Sequence, residues 1–384
     1  MKAILAIDSY KGCLSSREVE KAATMAFTKE DAVTCIPVSD GGEGFSSILT
    51  DILGGETRTI LSHDPLGNAI EASYGIVCGG SVAVIDTATS SGLSLVPPER
   101  RNPLYETSYG TGELIADALT EGVDEIWIGL GGSATCDGGL GMLQALGYRF
   151  LTPAGIVDNP VMANIISVDD THAHRGLRSV KISAFYDVDV PFCGRGGAAL
   201  AFAPQKGAGP QMAQALDSWM DLLCGLYSRY SGLPIMNSPG AGAAGGIGGA
   251  MTAFLHARMY MGVERFLEKI GFEEYLSSGG DSPCIVVTGE GKSDFQTLTG
   301  KLPLGVLRFV RTHAHPSTVV ILLSGRVDDP VEFYRAGFDE VVEVTPRDTL
   351  PEKITYPESA RRNIPLALEP VLRTYRFRSG LFNI

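Results

Sequence analysis

Short apolar runs that stop abruptly in loops rich in glycine, carboxylates and small hydroxyl residues recur along this chain, and that alternation constrains its fold more than any other feature. Four loops carry it: DGGEG at 40–44, GGSATCDGG at 131–139, GAGAAGGIGG at 240–249 and TGEGKSD at 288–294. Glycines let backbone N–H groups approach an anion without a Cβ in the way, while carboxylates supply hard oxygen ligands for Mg2+ and proton acceptors. One such loop is ordinary turn or helix-cap chemistry. Four of them describe a site for a polyphosphate and its metal ion.

The segments around these loops set the fold class. Residues 3–7 read as a buried strand stopped by Asp8, and Ser15 with Glu18 forms a capping box for a helix reaching about residue 27. A second strand over 33–38 leads into DGGEG and a helix over 45–53. If the two strands are parallel neighbours, Asp8 and Asp40 emerge at the same carboxyl edge, where open α/β sheets bind ligands. Residues 57–62, 70–77 and 81–86 alternate in polarity, with Gly-Asn and Gly-Gly turns, which predicts antiparallel hairpins. Strands at 125–130 and 181–186 and a long helix over 210–230 follow. The βα alternation returns near the end, with strands at 284–288, 318–323 and 340–344 and a helix over 303–312. The expectation is an α/β protein of two domains. One is Rossmann-like, with a mainly parallel sheet, and discontinuous (1–65 and 282–384); the other is an inserted mixed α/β domain (66–281).

Composition removes several function classes. With 44% hydrophobic residues but no apolar run of membrane-spanning length, the chain reads as a globular protein without a membrane partner. The apolar stretch at 3–7 is too short for a signal peptide, and seven cysteines without a CxxC pair fit a reducing compartment, so a cytoplasmic location is expected. A net charge of -13 argues against nucleic acid as a partner. No segment satisfies the Walker A pattern. Gly240, Gly242 and Gly245 match GxGxxG, but two prolines and no strand precede them, and Ser133 lies in GGSAT, not in the GxSxG of a hydrolase. His172 and His174 beside Asp169 and Asp170 read as a solvated loop, and Cys136 as a bystander thiol. In contrast, Asp8, Asp40, Glu43, Asp187, Asp189, Glu290 and Asp294 all lie at or just beyond the ends of apolar strands. Lys11, Lys206, Lys292 and Lys301 lie in or near the same loops and could balance an anion.

Taken in order, DSYKG at 8–12, VSDGGEG at 38–44, TSYGTGEL at 107–114, GLGGSATCDGGLGMLQALG at 129–147, PQKGAG at 204–209, PGAGAAGGIG at 239–248 and TGEGKSDFQTLTGKLPLGV at 288–306 closely resemble the bacterial glycerate kinases of the glyoxylate and glucarate pathways. The resemblance implies ATP and D-glycerate as substrates, Mg2+ as cofactor and 2-phosphoglycerate as product. Kinases of other small hydroxy acids and Mg2+-dependent phosphatases or mutases are the alternatives. Phosphoryl transfer rests on positioning and charge neutralisation. In that scheme Asp294 is the first choice for proton acceptor and Asp189 the second, followed by Asp8 and Lys11 as metal or phosphate contacts. Asp40, Glu43 and Glu290 would hold the metal. Gly131, Gly132, Ser133, Thr135, Gly245, Gly246, Gly289, Gly291 and Lys292 would bind phosphate or substrate. Three positions depart from the family pattern: Lys292 where arginine is common, Val190 where an asparagine often precedes the proline, and Cys136 in place of a frequent asparagine. Oligomeric state has no signal in the chain.

Overall fold

The computed structural model describes residues 1–42, 44–157, 161–277, 284–346 and 356–381. The chain divides into two compact units, one made of Met1–Ser39 with Gly262–Ile384, the other of Asp40–Met261. Their two large sheets use the strands β1 Lys2–Ile7, β2 Ala32–Cys35, β3 Glu56–His63, β4 Ala69–Val77, β5 Val82–Asp86, β6 Glu125–Gly129, β7 Lys181–Tyr186, β8 Arg258–Met261, β9 Ile285–Gly289, β10 Val319–Ser324 and β11 Glu340–Glu343. The helices that matter below are α1 Ser16–Thr24, α2 Phe45–Ile52, α3 Tyr109–Thr120, α4 Pro210–Ser231, α5 Leu302–His313 and α6 Pro357–Leu381.

In the first unit the sheet is parallel throughout, in the order β11-β10-β9-β1-β2. A strand covered on both faces should be apolar throughout, and Ala3, Ile4, Leu5, Ala6 and Ile7 are all fully buried. The capping box opens α1 as the sequence predicts: Ser15 Oγ accepts from the Glu18 amide, and the Glu18 carboxylate accepts from the Ser15 amide. One buried contact had no sequence signal. Strand β2 stops at Cys35, so the last main-chain groups of β1 on that side lack a strand partner, and α1 supplies side chains instead. Ser16 Oγ donates to the Ile7 carbonyl, and the Ile7 amide donates to Glu20 Oε1 at 3.4 Å. Glu20 is 1% exposed and its Oε2 has no partner. Burial pushes its carboxyl up to about 9, against the smaller opposing pulls of the Ile7 amide and Arg17.

The sheet of the second unit runs β8-β7-β6-β5-β4-β3, parallel from β8 to β5 and antiparallel through the β5-β4-β3 meander. Helix α2 is fastened to it. Ser46 Oγ donates to the Val84 carbonyl at 2.6 Å and accepts from the Gly75 amide at 3.1 Å. Asp86, at the end of β5, accepts from the amides of Gly44 (3.1 Å) and Ser46 (2.8 Å), meeting the unpaired donors at the start of α2.

These contacts correct both expected domain boundaries. Residues 40–65 go with the second unit because α2 is hydrogen-bonded to β4 and β5, and because β3 pairs with β4 from Glu56 to His63. Residues 262–277 go with the first. There Lys2 Nζ donates to the carbonyls of Tyr275 (2.8 Å) and Leu276 (2.9 Å), and the Phe272 ring lies edge-on to Phe309 of α5 at 5.9 Å. Strands β1 and β2 are parallel neighbours as expected, but the division between the units falls directly before Asp40, so Asp40 is grouped with the second unit and Asp8 with the first.

Candidate active-site loops

At the carboxyl edge of the first unit's sheet, three neighbouring strands deliver their loops together. Strand β1 ends in Asp8, whose amide donates to the Gly289 carbonyl at 2.9 Å and whose Oδ1 accepts from the Ser9 amide at 2.7 Å. Tyr10 is buried and its hydroxyl donates to the Leu323 carbonyl at 3.1 Å, tying the 8–14 turn to the end of β10. Lys11 is exposed on that turn. Strand β9 ends at Gly289, where a Cβ would stand 1.7 Å from the Leu323 carbonyl oxygen, so only glycine lets β9 and β10 close up here. Gly291 lies against Tyr10 and Lys11, with room for a Cβ only at 3.3 Å.

Glu290 is the hub of this edge. Its Oε1 accepts from Thr297 Oγ1 at 2.6 Å and from Ser293 Oγ at 3.2 Å, and Ser293 Oγ in turn lies 2.7 Å from Ser324 Oγ. Oε2 accepts no hydrogen bond from any described residue. Burial raises the Glu290 carboxyl above its ordinary range, opposed by the Thr297 hydroxyl, Lys301, Ser293 and Lys11. Thr297 also accepts from the Asp294 amide at 3.0 Å, so one hydroxyl spaces Glu290 and Asp294. Asp294 Oδ1 accepts from the Gln296 amide at 2.9 Å, a turn-capping bond, and Oδ2 stands 3.8 Å from Lys292 Nζ. The Lys292 ammonium is closer to Asp328, at 2.9 Å, and would have to leave that pair to meet a ligand.

The second unit carries the remaining candidates. The loop after β6 is packed backbone against backbone. The Gly131 amide donates to the Gly41 carbonyl at 2.8 Å, and a Cβ on Gly131 would stand 2.4 Å from Gly42 Cα. On its other side the Leu93 amide donates to Gly132 and the Ala134 amide to Ser91, both at 2.8 Å. Ser133 Oγ accepts from Lys206 Nζ at 3.0 Å. Thr135 is fully buried and its hydroxyl has no partner. Gly245 and Gly246 have φ of +67° and +96°, and a Cβ on Gly245 would stand 1.9 Å from the Thr135 carbonyl oxygen, so the 240–249 loop is wedged against GGSAT. The segment before it forms a short 3-10 turn, Ile235–Asn237, and not the strand a dinucleotide fingerprint needs. Asp189 is exposed, with Oδ1 accepting from the Gly240 amide at 3.0 Å. Asp40 is 6% exposed, and its Oδ1 accepts from the Gly42 amide at 3.3 Å. Glu43 lies outside the described residues.

The aspartate of the GGSATCDGG loop, Asp137, proves structural. Asp137 accepts four bonds, from the Ser108 amide (2.8 Å) and hydroxyl (2.7 Å) and from the amides of Gly139 (3.0 Å) and Gly141 (3.1 Å). It clamps the loop before Leu140–Ala145 to the start of α3. Cys136 beside it is buried, and burial raises its thiol away from the reactive thiolate. Sequence reasoning missed Ser293, Thr297 and Ser324: Ser293 and Ser324 meet only because β9 and β10 are neighbours, and Thr297 reaches Glu290 only because the loop folds back on itself after Asp294.

Magnesium is usually held by one or two carboxylates together with substrate phosphates and water. Among the described residues no group of three or more His, Cys, Asp or Glu side chains forms a metal cage. Burial disfavours the Glu290 carboxyl as an anion, and a nearby cation would oppose that shift as Lys301 and Lys11 already do.

Comparison with known proteins gives the same direction over the whole chain. Residues 3–376 match the glycerate kinase family. A glycerate kinase of Halalkalibacterium halodurans is 36% identical over 94% of this chain and 96% of its own length. A glycerate 2-kinase of Escherichia coli (strain K12) is 37% identical over 90% of each chain. A crystal structure from Salmonella typhimurium LT2 superposes with a TM-score of 0.82 at 34% identity, covering 99% of both chains.

Proposed function

We propose, from the premise that this chain belongs to the glycerate kinase family, that it transfers the γ-phosphoryl group of ATP to the 2-hydroxyl of D-glycerate, giving 2-phosphoglycerate and ADP. The observation that carries this reading is the Glu290–Thr297–Asp294 arrangement at the carboxyl edge of a parallel sheet, inside the TGEGKSD segment. It holds two carboxylates at a fixed separation with different surroundings, one buried and raised, one capped and partly open.

Asp294 is the proposed proton acceptor for the substrate hydroxyl, with Asp189 as the second choice. Its amide and Oδ1 are both held by the turn, so Oδ2 has a fixed place from which to accept a proton. Glu290 and Asp40 are the proposed Mg2+ carboxylates, with Asp8 beside them in role. When bound, Mg2+ would neutralise charge on the β- and γ-phosphate oxygens. Lys11 and Lys301, which already act on the Glu290 charge, would add positive potential at this edge. The amides of the 131–135 and 245–246 loops, with Ser133, are proposed to bind anionic substrate oxygens. No described helix is long and apolar enough to cross a membrane, and a cytoplasmic location is proposed with the same reading.

The test is a coupled ADP-release assay with D-glycerate, L-glycerate and tartronate, with and without EDTA, followed by NMR of the phosphorylated product. D-glycerate-dependent ADP that EDTA abolishes and Mg2+ restores, with a 2-phosphate product, is the expected result. ADP release with tartronate alone would move the assignment to another hydroxy acid, and no acid-dependent ADP at all would sink the kinase reading. Asp294→Asn should lower kcat by about 100-fold or more with a smaller change in KM. Near-normal turnover in a folded variant would transfer the role to Asp189.

A further inference from the structure

Lys206 has no role in the reading above, yet its surroundings are unusual for a lysine. It ends the short turn Pro204–Lys206 and is 2% exposed. The turn is fixed on both sides. The Lys206 amide donates to the Ala203 carbonyl at 3.0 Å, and Gly207 follows with φ of +95°, in a place where a Cβ would stand 2.3 Å from the Arg101 carbonyl oxygen. Inside, the ammonium donates to Ser133 Oγ at 3.0 Å and to the Thr135 carbonyl at 2.7 Å. It has no ion-pair partner among the described residues. Glu106, also fully buried, spends Oε1 on the Asn102 amide at 2.9 Å and leaves Oε2 without a partner. Burial raises the Glu106 carboxyl, and Lys206 and Arg101 act on it in the opposite direction.

A buried ammonium is costly unless its donors are used, and here two of the three go to GGSAT. The chemistry of that contact has a direction. An ammonium has no lone pair, so Ser133 Oγ must accept from it, and the Ser133 proton must point elsewhere. The loop backbone cannot absorb that proton by shifting, because Gly132 and Ala134 are bonded to Leu93 and Ser91 on the other side. We infer that Lys206 is the positioning residue of the 131–135 loop: it holds Ser133 as a hydrogen-bond donor, and sets a positive charge behind the loop, for an anionic oxygen of a substrate. The inference deepens the kinase reading and rests on it for the identity of the substrate. A phosphoryl oxygen of ATP and the carboxylate of a hydroxy acid share the required chemistry, and the experiment separates them.

Lys206→Met keeps an unbranched side chain one heavy atom shorter and removes the charge. Measured with Ser133→Ala and the double variant, it should raise KM for one substrate by about 10-fold or more, with a smaller effect on kcat; ATP or glycerate is thereby named as the owner of the oxygen. In the Ser133→Ala background the further loss should shrink to about threefold or less, since the two residues act as one unit. A folded Lys206→Met variant with both KM values unchanged, or losses that multiply in the double variant, would overturn the inference. If the wild-type protein forms no ADP with any hydroxy acid, the kinase reading fails by itself. The loop is then tested by calorimetric binding of ATP and of pyrophosphate to wild type and Lys206→Met, where about 10-fold weaker binding of either supports the inference and equal binding of both overturns it. Should Lys206→Met not fold, Lys206→Ala with added ethylammonium replaces it. Recovery of KM or binding with ethylammonium but not with propanol supports a positioned charge, and equal recovery with both assigns Lys206 to packing alone.

Discussion

Glu20 gives the most quantitative prediction. In the folded chain its carboxyl is pushed up to about 9 from an ordinary 4.5, with burial the dominant cause. Between those two values the unfolded chain has released the proton and the folded chain has kept it. Stability must therefore fall as pH rises through that window, by about 1.4 kcal/mol per pH unit, and is fully restored below 4.5. At pH 7 the accumulated cost is about 3 kcal/mol, a large share of the net stability of any domain. Glu20→Gln removes the slope. Its amide oxygen can still accept from Ile7, but its N–H2 group replaces an oxygen that has no partner, a pH-independent loss of about 1–3 kcal/mol. The two curves should cross, with wild type more stable near pH 5 and the variant more stable above about pH 7.5. Both tryptophans, Trp127 and Trp219, lie in the second unit, so their fluorescence does not report on β1. Urea unfolding followed by pulse hydrogen exchange of the peptide spanning residues 1–7, from pH 5 to 8.5, does. Parallel pH profiles for the two proteins would show that Glu20 is ionised in the folded state and that the α1 contact to Ile7 has been misread.

Two further outcomes follow from local geometry. Asp137→Ala removes an acceptor that serves four donors, so it should cost about 3–5 kcal/mol and lower the melting temperature by roughly 6–20 °C, read by the tryptophan signal of the second unit; a shift under about 2 °C would refute the clamp. Gly289→Ala places a methyl group where the Leu323 carbonyl already stands, which should cost about 3 kcal/mol or more and impair turnover through Glu290; a variant with unchanged urea midpoint and activity would show that β9 and β10 are not so tightly closed.

Local rules carried the sequence reading as far as local physics reaches. Strand β7, the Ser15–Glu18 capping box, the β3-β4-β5 meander and the start of α4 all follow from period, caps and turn residues within a few positions. The boundary at residue 65 failed because the deciding bonds are long-range: Ser46 to Val84 and Asp86 to Gly44 attach α2 to strands that come later in the chain. The same holds for the loops. Glycines, Glu290 and Asp294 could be picked from TGEGKSD, but the shared Thr297 hydroxyl could not. Asp137 stands before a helix in the sequence, as a cap would, but the Ser108 hydroxyl it accepts from lies 29 positions away. Lys206 is one of four lysines in or near the loops, and nothing local in the sequence shows that its ammonium is buried against Ser133.

The place of β1 between β9 and β2 also bears on how the chain matures. Strand β1 leaves the ribosome well before the neighbour that completes it, β9, which begins only at Ile285, after the whole of Asp40–Met261 has been made. At common elongation rates of 5–20 residues per second that gap is roughly 15–55 s, during which a strand of five buried apolar side chains has no complete sheet to join. Asp40–Met261 meanwhile holds all of its own sheet strands and can fold as it emerges. Expression at lower temperature, or with a holdase bound to the nascent first forty residues, should therefore raise soluble yield more than any change made within the second unit's core.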